Sequence, residues 1–286
     1  MLLNCARIIG FLLLSASVGA CGAQNPGPPL TSGADATADM ATGAADAPAT
    51  TADSQDASDA PAPDAAPAID ASAPVDATPG KSTPWGPIRG ECGVVAAELL
   101  VATPSFHVDT WHFDQAGPFD PKPLRAGAMQ RYAGPNAGGS SKCSETMSMQ
   151  LLYECDGALT AKTETQVVYE GPGPITDWLA DIGGLRVGVS VSRAYKGPKI
   201  DVFTLADAKA LLEKKLAGVN ASTAHISAQD KWVKQILHIW TLHPEWAELL
   251  RQAWQDLDAK LKADTVVLIT VEEGSTDVVA DTCEAP

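Results

Sequence analysis

The sequence predicts an α+β (or α/β) domain: a mixed sheet made of a three-strand meander plus a C-terminal strand, packed by helices. An N-terminal signal and a disordered tether precede it. Three observations carry this expectation. Glycine and proline turns cut residues 163–192 into three short β-prone runs. Stretches of helical period lie before and after them. An apolar, β-branched run at 265–271 reads as a buried strand.

Taken in order, residues 93–102 suggest a strand, with a helix as the rival, and 108–113 a second short strand. Residues 115–141 are rich in Gly, Pro and Asn and read as loop. A helix follows over 144–154, capped by Ser144 or Ser141. The meander runs through 163–169, 175–182 and 185–192, with turns at Gly171-Pro172-Gly173-Pro174 and Gly183-Gly184. In its third strand Val187, Val189 and Val191 share one face, and Gly188, Ser190 and Ser192 the other. Thr204 and Asp207 form the start of a helix whose stripe is Leu205, Ala208, Leu211, Leu212 and Leu216, with Gly218 as its stop. Further helices are expected over 228–240 and from Pro244 to about residue 262. The first would place Trp232, Ile236, Ile239 and Trp240 on a core face, and Lys234 and His238 together on another.

The N-terminus is different material. Arg7 precedes an apolar run at 8–18, too short for the roughly 20 residues of a spanning helix and suited to a secretory signal. It ends in Val18-Gly19-Ala20-Cys21, which resembles the lipobox of bacterial lipoproteins. That resemblance implies a signal peptide at 1–20, cleavage before Cys21, fatty acylation of Cys21, and the membrane as a partner. Gly at position 22, where Asp would retain the protein at the inner membrane, implies the outer membrane and leaves its side open. Residues 22–80 hold nine Asp and no Lys, Arg or aromatic residue. Such composition cannot offset ordering entropy, so 21–82 is expected to be a disordered tether with a reach of about 40 Å.

Residues 83–286 then form a single domain. Of the whole-chain charge of -15, -7 falls on residues 81–286. That balance argues against general nucleic-acid binding, which needs Lys and Arg for phosphates. G-x-S-x-G, H-E-x-x-H, Walker A and G-x-G-x-x-G patterns are absent. Cys92, Cys143, Cys155 and Cys283 suggest two disulfides, with three connectivities possible and no C-x-x-C metal pair. A helix between Cys143 and Cys155 would hold them roughly 18 Å apart. Each is therefore expected to pair with Cys92 or Cys283. His107 and His112, on one strand, would face opposite ways.

A helix bearing Glu145, a strand bearing Glu164, a strand bearing Asp177, a third strand, a helix and a last strand make an order that resembles the PD-(D/E)xK nuclease-like superfamily, over about 142–272. The resemblance implies a divalent metal such as Mg²⁺ held by Glu145, Glu164 and Asp177, and a cation that orients the attacking water. The pattern breaks on the third strand, where Ser190-x-Ser192 stands for Glu-x-Lys and Arg193 is one register off. Lys234 or Gln235 would have to migrate in. Two functions follow as expectations. The first is a lipid-anchored envelope protein with a binding or structural domain, an unidentified protein or ligand partner and no cofactor. The alternative is a metal-dependent hydrolase using Glu145, Glu164, Asp177 and Lys234.

Overall fold

The structure is a computed structural model that describes residues 80–114, 119–135, 141–197 and 202–283. The expected signal, Cys21 and the tether up to residue 79 lie outside the described residues. In chain order the elements are strands β1 (Lys81–Thr83) and β2 (Gly86–Gly90), short helix α1 (Val95–Glu98), strand β3 (Ser105–His112), and helices α2 (Ala126–Ala133) and α3 (Lys142–Asp156). Strands β4 (Leu159–Thr163), β5 (Trp178–Ile182) and β6 (Leu185–Arg193) follow, then helix α4 (Leu205–His225) and strand β7 (Lys234–Thr241). Helices α5 (Pro244–Gln255) and α6 (Ala259–Lys262), strand β8 (Val266–Glu273) and helix α7 (Asp277–Ala280) complete them.

All eight strands join one mixed sheet in the order β1-β2-β3-β8-β7-β6-β5-β4. The central four, β3, β8, β7 and β6, are parallel; β1 and β2 at one side and β5 and β4 at the other pair antiparallel. Parallel strands need crossover helices, and these cover both faces. On one face Met147 and Leu151 of α3 pack with Val187, Val189, Ile236, Trp240, Leu268 and Trp111. On the other, Leu212 and Leu216 of α4 and Leu250 of α5 pack with Leu237, Ile239, Val267 and Ile269.

The hairpin at Gly183-Gly184 is present, both glycines at positive φ as the tight turn requires. The capping box at Thr204 and Asp207 is also present. Gly218 does not stop α4, which continues to His225. Its missing side chain leaves room for Pro174 of the neighbouring loop.

Several expectations are corrected. Residues 234–241 form strand β7, not part of a helix over 228–240. All eight of its residues are buried between two parallel neighbours, so the alternation that marks a half-exposed strand is absent. Residues 93–102 contain α1 and no strand, and α2 lies inside the expected loop at 115–141. The first meander strand is Leu159–Thr163, and Glu164 begins a 3-10 turn where 163–169 was expected to be extended. The chain is already ordered at Lys81, in β1.

Two disulfides tie the face under α3. Cys92 joins Cys155, and Cys143 joins Cys283, with Cα separations of 4.9 and 5.7 Å. The cysteines near the two ends of α3 are thus bound to separate distant segments and not to each other, as the length of that helix demands.

Candidate functional site

The carboxyl ends of parallel strands are where open sheets usually take ligands. Here the end of β6 meets the approach to β5 and the side of α4. Asp177, one residue before β5, donates its N–H to the Val189 carbonyl at 3.0 Å, and its carboxylate accepts the Val191 N–H. A side-chain oxygen thus continues the ladder where the two strands separate. Thr176 beside it is buried and hydroxyl-bonded to Ser190 at 3.3 Å, while its N–H goes to the Tyr169 hydroxyl at 2.7 Å. Over this corner lies a hollow of about 330 Å³ lined by Ile175, Asp177, Ser190, Lys214, Lys215 and Gly218, among others. A second hollow, about 190 Å³, shares Val191 and Lys215 with it and is lined further by Ser141, Ser144, Ser192, Arg193 and Tyr195.

Burial pushes the Asp177 carboxyl well above the usual carboxylate range, and the nearby Glu145 charge pushes it the same way. The structure therefore brings Asp177 and Glu145 within electrostatic reach of each other. Glu145 projects from the first turn of α3 into a buried ion pair with Arg131 of α2. Glu164, itself half-buried, begins the 3-10 turn after β4, where it too raises Asp177, though less than Glu145 does.

Lys234 does not join them. It pairs in register with Val187, toward the opposite end of β6, and donates to the carbonyls of Glu98, Val101 and Thr103 at 2.8, 2.6 and 3.1 Å. Its ammonium closes the end of α1 and the turn beyond. Gln235 donates to Val219, Ser222 and Thr223 in the core under α4. Among the described residues no three His, Cys, Asp or Glu side chains group as metal ligands.

The two faces of β6 divide as the alternation predicts, but the valine face, not the serine face, is the one toward α3. The strand face that packs on α3, which carries Glu145, holds Val187, Val189 and Val191. Arg193 follows on that same face, so the Glu-x-Lys spacing beside Glu145 is filled by Val191 and Arg193, not by Ser190 and Ser192. The Arg193 guanidinium donates to the Val279 carbonyl at 2.7 Å.

Sequence reasoning missed a second polar feature, a row crossing the centre of the sheet beneath α3. The His238 ring is hydrogen-bonded to Ser148 of α3 through Nδ1 and to Thr270 of β8 through Nε2, both at 2.8 Å. Thr270 lies in register with Asp109 of β3. All four side chains are buried. Burial drives the imidazole down to about 3, so it is neutral. Burial drives Asp109 up to about 7, the Thr270 hydroxyl opposing and Asp156 and Glu91 adding to the rise. Their signal in the sequence was a polar residue at an inward position of an alternating strand, His107-x-Asp109-x-Trp111. Lys215 and Arg131 carried no signal, one being an ordinary lysine on a helix and the other lying in the expected loop.

No family model matches the chain. Among curated proteins, the AAC-rich mRNA clone AAC4 protein of Dictyostelium discoideum is 41% identical over 145 residues, which cover 47% of this chain and 20% of that protein. The chain thus matches about a fifth of that relative's length. Among solved structures, SfsA of Pyrococcus furiosus in complex with Ca²⁺ aligns at 15% identity and a TM-score of 0.24, over 49% of this chain and 69% of the other. That score is too low to bear on the activity of this chain.

Proposed function

We propose that the protein is a lipid-anchored lipoprotein of the bacterial cell envelope whose domain binds a ligand at the Asp177–Lys215 cleft and does not turn one over. The observation that carries the choice of binding is the engagement of the polar groups that hydrolysis would require. Glu145 is locked to Arg131 in a buried pair, and Lys234 is committed to three carbonyls elsewhere. Breaking such a buried pair leaves an uncompensated charge and costs about 3–5 kcal/mol. Export is supported by the two disulfides, which persist in oxidising compartments. No helix among the described residues is long and apolar enough to cross a membrane. The anchor in this reading is the acyl group on Cys21. A Cys21→Ala protein is expected to lose fatty-acid labelling and to leave the membrane fraction; undiminished membrane association would refute the anchor.

The proximity of Asp177 to Glu145 favours a second reading, a hydrolase with a degenerate nuclease-like centre. Under the binding reading, the full chain shows no Mg²⁺- or Mn²⁺-dependent cleavage of DNA or RNA. Cleavage that disappears in Asp177→Asn would establish the second reading instead.

A further inference from the structure

We propose that the two adjoining hollows at the end of β6 bind a small organic molecule through one tetrahedral oxyanion, a phosphate or sulfate ester group, held by Lys215 and the Ser192 hydroxyl. This rests on the binding reading above and names the ligand class for that cleft.

Three features converge on it. The first is charge. The domain is acidic overall, yet the cleft is lined by Lys214, Lys215 and Arg193, with Asp177 as its acidic side chain. Burial and the Glu145 charge raise the Asp177 carboxyl to about 8, with the Lys215 charge pulling it the other way. Lys215 makes no ion pair or hydrogen bond among the described residues, unlike Lys209 on the same helix, which pairs with Glu213 at 3.9 Å.

The second is a hydroxyl that faces the hollow without a protein partner among the described residues. Ser192 is 8% exposed and lines the smaller hollow, and its hydroxyl has no hydrogen-bond partner among the described residues. The Tyr195 hydroxyl on the same wall is likewise without a partner there. The first turn of α3 adds polarity at Ser141 and Ser144, but its Cys143 N–H already goes to the Asp281 carboxylate, so the helix end is not the site.

The third is shape. The smaller hollow is the polar one, and the larger is walled in part by Pro174, Ile175, Val191 and Val219. A compact anionic group fits the first while a mainly apolar remainder lies in the second. Hydroxyl and ammonium donors are the groups that recognise oxyanions, and their attraction is strengthened where water is thin.

The test titrates the full chain, carrying Cys21→Ser to keep it free of lipid, with phenyl phosphate by calorimetry. Saturable binding is expected. It should weaken at least tenfold in Lys215→Gln and severalfold in Ser192→Val, and stay unchanged in Lys209→Gln. Absence of saturable binding, or an equal loss in Lys209→Gln, overturns the proposal. Phenol bound as tightly as phenyl phosphate also overturns it, yet leaves a ligand cleft standing, which separates this failure from failure of the binding reading. Two sources share this chemistry. Sedimentation with phosphatidate vesicles but not phosphatidylcholine vesicles, lost in Lys215→Gln, marks a lipid headgroup. Binding of phenyl phosphate without vesicle binding marks a soluble ester.

Discussion

At the scale of single residues, the telling groups are those whose charge the interior suppresses. Asp109 stands in the middle of the sheet with its carboxyl raised to about 7, against about 4 in an unfolded chain. Between those values the folded protein holds a proton that the unfolded chain has released, so stability falls as pH rises from about 4 to about 7 and then levels. Asp177 is shifted in the same direction and adds to the slope. Asp109→Asn removes one proton from this linkage. The variant is expected to match the parent near pH 4 and to exceed it by about 4 kcal/mol at pH 8. Denaturant midpoints across that range check it; a parent that gained stability with pH as steeply as the variant would contradict the assignment. The sequence shows Asp109 as an inward strand residue, but not that Thr270, 161 positions later, would stand beside it. Polar partners this distant in sequence are set by sheet order, which no local pattern encodes.

Elements were legible where their signal is local. The Gly183-Gly184 hairpin, the helix after Ser141, the Thr204 cap and the apolar run of β8 each carry turn, capping or composition cues within a few residues. Strand β7 was not legible, because burial on both faces erases period two, and Trp232, Ile236, Ile239 and Trp240 happen to fall at helical spacing. That one element decides the fate of Lys234. On a helix it would have been free to lean toward Asp177; on β7 it is fixed toward the opposite end of the strand and bonded to the turn after α1. Glu145 and Asp177 were recoverable because each is fixed to an element whose position the sequence does show. Arg131, the partner that neutralises Glu145, was hidden because α2 is embedded in a glycine- and proline-rich stretch.

For the molecule as a whole, the disulfides are the long-range restraints. Cys143–Cys283 closes a separation of 140 residues and Cys92–Cys155 one of 63. The chain-entropy account assigns them about 5 and about 4 kcal/mol respectively. Replacing Cys143 and Cys283 by Ser is therefore expected to lower the urea midpoint more than replacing Cys92 and Cys155. The reverse ranking would show that local packing, not restraint of the unfolded chain, governs their effect. The pairing also orders events during synthesis. A growing polypeptide delivers Cys92, Cys143 and Cys155 before Cys283, the mate of Cys143, which follows it by 140 residues. Until then three thiols of the domain share one legitimate bond, and α3, by holding Cys143 and Cys155 at its two ends, blocks one of the two wrong ones among them. Early formation of that single helix thus guards the nascent domain against a misplaced crosslink.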